Sequence, residues 1–144
     1  NTGVIGIPVG EGFATLPLVK VLREGGLVGM QGDRDFSLNG LPIPFFGREA
    51  FFPRGPWELA AMTGAAIVPA FFFTNAEHRF MGHFEAPIHV LGGRGERMRA
   101  IETGMREYVA HLEQLVREHP DQWYCFYPFW DDPKRQAEAQ KSES

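Results

Sequence analysis

The strongest constraint on the fold is a long apolar stripe near the C-terminal end of the chain. Met98, Ile101, Met105, Tyr108, Val109, Leu112, Leu115 and Val116 recur at alternating spacings of three and four. That period predicts one amphipathic helix over residues 96–118. Glu102 with Arg106, and Glu113 with Arg117, are spaced to support its polar face. Pro120 ends it. A helix with so continuous a stripe needs an apolar surface to lie against, so the remaining segments must supply one.

Those segments read as alternating helices and strands. Residues 4–9 form a short apolar strand candidate. Residues 11–24 predict a helix with Leu18, Val19 and Leu22 on one face, interrupted by Pro17 and stopped by Gly25-Gly26. Residues 27–31 then read as a buried strand, a helix-to-strand step typical of α/β architecture. Residues 32–52 are loop-rich, with Asn39-Gly40, Pro42 and Pro44. Pro56 opens a second helix that runs to Thr63 and is closed by Gly64. Residues 65–73 are apolar throughout and read as a central strand. Residues 79–85 read as a further strand, paired after a turn at Asn75 and extended by residues 89–91. The fold class expected is α/β, a mixed sheet flanked by helices. Residues 1–133 make one domain portion, and residues 134–144 are expected to be a disordered polar tail.

Bulk numbers narrow the function. The chain has 144 residues, 44% of them hydrophobic, which suits one domain with a real core. A formal charge of −4 gives no footprint for nucleic acid. The single cysteine, Cys125, excludes an internal disulfide and a cysteine-cluster metal site. Its aromatic neighbours make it read as a small hydrophobe. The longest apolar run, residues 65–73, is far short of the ~20 residues needed to span a bilayer. The opening residues, from Asn1 to Pro8, read like the middle of a domain, so a fragment of a longer protein is expected. The 13 phenylalanines often sit beside proline and glycine, where they pack on the core or face something greasy.

Two places could carry chemistry. Gln31, Asp33, Arg34 and Asp35 follow the expected strand at 27–31, and ligands gather at strand ends in open α/β sheets. Asp33 and Asp35 suit a metal or the orientation of a base; as solvated loop charges they would do neither. Arg48 and Arg54-Gly55-Pro56 form the second place. A helix N-terminus offers free N–H groups, and Arg54 adds a fork-shaped cation matched to phosphate or carboxylate. The alternative is an exposed arginine beside a glycine turn. Phe45, Phe46, Phe51, Phe52 and Trp57 lie between these places, either as an acyl-chain or membrane contact or as core. Gly92-Gly93-Arg94-Gly95 reads as a linker rather than a phosphate loop. None of the five histidines has a carboxylate or cysteine at a spacing that marks a dyad or metal site, and all five read as structural or solvated. No metal ligand set and no cofactor is expected. A Gly-x-Ser-x-Gly elbow is absent, so a hydrolase triad has no support.

Several motifs occur in a fixed order. They are the polar strand end Gln31–Asp35, Pro44-Phe45-Phe46-Gly47, Gly55-Pro56 opening a helix with Glu58-Leu59-Ala60, Thr63-Gly64, Val68-Pro69, and His119-Pro120-Asp121-Gln122-Trp123. Over nearly its whole length the chain resembles the C-terminal part of the lipid A biosynthesis (lauroyl/myristoyl) acyltransferases, distant relatives of the glycerophosphate acyltransferases. The resemblance implies a glycerophosphate-acyltransferase-like fold. It implies a membrane-associated enzyme that moves a fatty acyl chain from acyl carrier protein or acyl-coenzyme A to a hydroxyl of a lipid A-type glycolipid. The cytoplasmic face of the bacterial inner membrane is the implied location. Gln31, Asp33, Arg34, Arg48, Arg54 and Gly55 become substrate-binding candidates, and the membrane surface becomes a partner.

The family's catalytic motif is His-x-x-x-x-Asp or His-x-x-x-x-Glu. The residues five positions after His78, His83, His89, His111 and His119 are His83, Ile88, Arg94, Val116 and Tyr124. None is acidic, so the resemblance places the motif and an anchor upstream of Asn1 and makes this portion alone inactive, with no catalytic residue of its own. Relatives carry Asp-Gln or Asp-His after the strand, where this chain has Gln31-Gly32-Asp33-Arg34-Asp35. The glycerophosphate relatives read Phe-Pro-Glu-Gly-Thr where this chain has Phe52-Pro53-Arg54-Gly55-Pro56. Two alternatives remain: a non-catalytic lipid- or acyl-carrier-binding module, and an acyltransferase for lysophosphatidate or a mannoside.

Overall fold

A computed structural model describes residue 6, residues 15–93 and residues 95–131. All of the strand expected at 4–9 but residue 6, the start of the first helix and the polar tail at 134–144 lie outside the described residues. The described elements are α1 (Thr15–Arg23), β1 (Leu41–Phe45), β2 (Arg48–Phe52), α2 (Gly55–Thr63), β3 (Ala70–Thr74), β4 (Phe80–Phe84) and α3 (Arg97–Glu118), followed by a short 3-10 turn at Pro120–Gln122. The fold is mixed α/β.

The long helix forms as its period demands. Ile101, Met105, Val109, Leu112 and Val116 are buried along it, and its Glu113–Arg117 ion pair closes at 2.6 Å. Trp57 of α2 presses onto α3 at Gly104. A Cβ at Gly104 would lie 2.6 Å from the Trp57 ring, so only glycine admits this approach. The boundaries of α2 match the sequence signals. Pro56 sits in its first turn, and Gly64 takes the left-handed conformation with φ 78° and returns its N–H to the Ala60 carbonyl at 2.8 Å. Beside it, α1 contributes Leu18 and Val19 to a small second core with Leu59.

The sheet differs from expectation. Among the described residues, instead of one mixed sheet there are two separate antiparallel hairpins, β1–β2 and β3–β4. The segment 32–52, expected as loop, contains the first. Pro42 and Pro44 disguise it. The register pairs Leu41 with Phe52, Ile43 with Ala50 and Phe45 with Arg48. The prolines fall at the alternate positions, where a strand's N–H points away from its partner, so they cost no ladder bond. Phe46 and Gly47, with φ 51° and 74°, make a two-residue turn of the kind that matches strand twist. The Phe46 N–H donates to Glu113 of α3 at 2.7 Å.

Residues 27–31 form no strand. A strand buried on both faces needs neighbours on both edges; among the described residues it has none, and Leu27 is 94% exposed. Residues 65–73 are not a central strand either. Pro69 has no N–H and divides the run into an isolated bridge, Ile67 to Ile88, and the short β3. The turn at Asn75 and the strand after it appear as expected. β3 pairs with β4 from Ala70–Phe84 to Thr74–Phe80.

One aromatic cluster closes the main core. Phe45 is fully buried and meets Phe46, Phe52, Trp123, Phe129 and Trp130 at centroid separations of 4.7–5.9 Å. The segment after α3 therefore acts as a lid on β1–β2.

Candidate functional site

A cavity of about 1180 Å³ runs between residues 26–34, the start of α2, residues 65–73 and α3. Its walls are mostly apolar, including Leu59, Ile67, Phe71, Leu112 and Val116. Polar side chains enter from one segment, Gln31-Gly32-Asp33-Arg34, and from Tyr108, His119 and Gln122. A large apolar chamber with few polar groups is the form of a small-molecule site.

The polar segment is held from below by α3. A Cβ on Gly32 would lie 2.7 Å from the Tyr108 hydroxyl, so glycine lets the backbone reach that ring. Tyr108 is in turn stacked on Phe71 at 5.9 Å. Burial, with a lesser contribution from the negative charge of Asp33, pushes the Tyr108 phenol well above its ordinary pKa and keeps it neutral. Arg34 donates to the Tyr124 carbonyl at 2.6 Å, and its Nε lies 3.7 Å from Asp33. Asp35 is spent on the loop itself: it accepts from the Ser37 N–H at 3.1 Å and the Gly40 N–H at 2.6 Å. Among the described residues no group of three metal-ligating side chains is suitably placed.

The cavity brings together Gln31, Asp33, Arg34 and Trp57 of the candidates. Gly55 stands close by, since a Cβ there would lie 3.9 Å from the Met30 side chain. Arg54, before the α2 N-terminus, is turned onto Glu58 at 2.6 Å. Glu58 thus supplies a carboxylate at the positive end of the helix, where one is favoured. Arg48 lies elsewhere, paired with both oxygens of Asp131 at 3.0 and 3.2 Å and 5.6 Å above the Trp130 ring. Phe45 and Phe52 are in the core, with Phe46 packed against it and Phe51 half-buried.

Two features escape a reading of the sequence. Gln122 clamps the end of β3: its side-chain oxygen accepts from the Thr74 N–H at 2.6 Å, and its nitrogen donates to the Thr74 carbonyl at 2.8 Å. The second is a carboxylate shared by two imidazoles. His83 Nε2 lies 2.8 Å and His111 Nδ1 3.1 Å from the same oxygen of Glu85. The bond from His83 chiefly, then the charge of His111, holds the Glu85 carboxyl below its ordinary range against an upward push from burial. The two-residue spacing of His83 and Glu85 on one strand face is visible in sequence; His111 comes from α3 and is not.

A family model described as bacterial lipid A biosynthesis acyltransferase matches residues 8–132. A phosphatidylinositol mannoside acyltransferase of Mycobacterium tuberculosis (strain CDC 1551 / Oshkosh) is 29% identical over 130 residues, covering 83% of this chain and 39% of that protein. The protein of the same description from strain ATCC 25618 / H37Rv is 30% identical over 130 residues with the same coverage. The chain therefore spans 39% of the length of the curated relatives it matches.

Proposed function

The chain belongs to the bacterial lipid A biosynthesis acyltransferase family, and from that premise we propose that it forms the substrate-holding part of an O-acyltransferase acting on a membrane glycolipid. The observation that carries the proposal is the 1180 Å³ apolar cavity with Gln31, Asp33 and Arg34 along one wall. The cavity is suited to a fatty acyl chain, and the wall to the polar group at its end. Arg34 is the cation there, able to hold a phosphate or a carbonyl oxygen. Trp57 contacts the acyl chain. Phe45, Phe46, Phe51 and Phe52 act behind it, as the packed surface that keeps the neighbouring wall rigid. Arg54 and Gly55 flank the site at the α2 N-terminus beside Met30, a route to the donor or acceptor headgroup; Arg48, held on Asp131, lies away from it.

In the whole protein a histidine of the His-x-x-x-x-Asp or His-x-x-x-x-Glu type takes the proton of the acceptor hydroxyl, the oxygen attacks the thioester carbonyl of acyl carrier protein or acyl-coenzyme A, and the adduct collapses with cleavage of the C–S bond, the carrier leaving as its thiol with the proton returned by the histidine. No histidine of this chain has an acid at that spacing, so this chain by itself is expected to be inactive. A glycerophosphate-acyltransferase-like fold and a place on the cytoplasmic face of the bacterial inner membrane complete the reading. No helix among the described residues is long and apolar enough to cross a membrane. A lipid A-type acceptor follows the family; the names of the two curated relatives favour a mannoside acceptor instead.

The test is acyl transfer by the full-length protein from both donor types to a lipid A precursor, a phosphatidylinositol mannoside and lysophosphatidate. Transfer to one glycolipid is expected. Arg34→Ala should lower kcat/KM by about tenfold or more, the worth of a lost charge-assisted hydrogen bond. No transfer to any acceptor, with fatty-acid binding intact, would favour a non-catalytic lipid-binding module.

A further inference from the structure

Tyr108 joins the apolar and polar walls of the cavity. Its ring is packed in the apolar part, stacked on Phe71 at 5.9 Å and tilted against Trp57 at 6.1 Å. Its hydroxyl reaches the polar segment, where a Cβ on Gly32 would lie 2.7 Å from that oxygen. Glycine at this position leaves the hydroxyl uncovered on that side. Among the described residues the hydroxyl makes no hydrogen bond. Nor is it one of the buried polar atoms sealed without a partner, which are Arg34 Nε and Trp123 Nε1. It therefore keeps open surface, and the space before it is the cavity that Tyr108 lines.

A hydroxyl set among apolar groups is normally hydrogen-bonded, because leaving it without a partner is costly. Burial and the negative charge of Asp33 both keep the proton on this phenol, so it is a neutral donor. The negative charge nearby disfavours a phosphate as its acceptor. The acceptor that suits it is uncharged and lies where a hydrocarbon chain meets a polar head. In an acyl thioester that atom is the carbonyl oxygen. We propose that Tyr108 contacts the substrate and donates its O–H to the carbonyl oxygen of the bound acyl group. The inference rests on the acyl-chain reading of the cavity and adds a residue to it. The neutral phenol serves the neutral carbonyl, and Arg34 is left for a phosphate. As the acceptor oxygen attacks, negative charge grows on the carbonyl oxygen, and a donor placed there holds it more strongly than before. Tyr108 keeps its proton throughout.

Tyr108→Phe in the full-length protein tests the inference, since it removes one oxygen and keeps the ring on Phe71 and Trp57. Two probes of equal shape are compared by displacement of a fluorescent fatty acid: a long-chain methyl ketone, and the alkene with a methylidene group in place of the carbonyl. The substitution should weaken ketone binding by about five- to tenfold and leave the alkene unchanged. It should lower kcat/KM for acyl transfer by about tenfold. With an isotope-labelled carbonyl, the infrared stretch of the bound ketone should lie below its position in hydrocarbon solvent, and return towards it in Tyr108→Phe. Equal weakening of both probes would show that the ring only packs. An unshifted carbonyl band in the parent would show that the hydroxyl serves water or another part of the protein. Either result overturns the inference, as would unchanged ketone affinity or unchanged kcat/KM in the variant. A parent that binds both probes but shows no shifted band sinks this inference alone, whereas a parent that binds neither sinks the cavity's assignment as well.

Discussion

The two hairpins are built from the same materials and meet opposite fates. Each has two five-residue strands, and each is rich in phenylalanine. In β1–β2, Phe45 and Phe52 are 0% and 1% exposed, because Trp123, Phe129 and Trp130 fold back over them. In β3–β4 nothing among the described residues does the same for Phe80, and every residue of β4 is exposed. The difference teaches that phenylalanine content does not locate a core. What decides is whether a later segment of the chain returns to cover the strand, and here the returning segment is used on β1–β2.

That contrast can be broken most directly at Phe45. Phe45→Ala removes the ring around which the aromatic cluster is organised, and should cost about 3–5 kcal/mol in urea unfolding. A loss below ~1 kcal/mol would mean that β1–β2 is no better packed than its counterpart. Next is Gln122→Ala, which frees both backbone groups of Thr74. The expected loss is about 1–3 kcal/mol, with faster hydrogen exchange at Thr74 and in β4 but not in β1–β2. Equal acceleration in both hairpins would show that the clamp is global rather than local. Gly64→Ala, at φ 78°, should cost ~1 kcal/mol by strain alone, read as a lowered melting temperature.

Acid sharpens the comparison in another way. The N–H of Phe46, followed by Arg117, holds the Glu113 carboxyl below its ordinary range. A depressed folded value means stability that is present above the unfolded glutamate value of about 4.3 and lost as pH falls through the folded value. The β1–β2 turn should therefore loosen at acid pH, and Glu113→Gln should flatten that acid limb in melting curves. A limb of unchanged slope in the variant would remove Glu113 from the account. The smallest effect is expected at Phe80. Phe80→Ala should change stability by less than ~0.5 kcal/mol, far below the Phe45 effect.

Local signals are the legible ones. Pro56 and Gly64 bracket α2, the three–four spacing fixes α3, and Asn75 marks the turn before β4. Each is decided by residues within a few positions of one another. The β1–β2 hairpin is hidden because Pro42 and Pro44 argue for loop, yet Leu41, Ile43 and Phe45 already alternate with them at the period of a strand. Residues 27–31 and 65–73 mislead for the opposite reason: their apolarity suggests burial in a sheet, and burial depends on neighbours that sequence does not display. At the site, the strand-end argument points to Gln31, Asp33, Arg34 and Asp35; the strand itself does not form, yet the first three line the cavity, while Asp35 is bound into its own loop. The pairing of Arg54 with Glu58 is available from their four-residue spacing, whereas Tyr108 and Gln122 reach the cavity only through packing.

The prolines of β1 have one more consequence. An uncovered strand edge is a template on which other chains can assemble, and the defence is to leave it nothing to donate. With Pro42 and Pro44 at the outward-facing positions, the free side of β1 offers carbonyls but lacks the amide hydrogens that a growing stack would need. The better buried of the two hairpins therefore carries its own guard against fibrous self-association, active even before Trp123, Phe129 and Trp130 have folded over it.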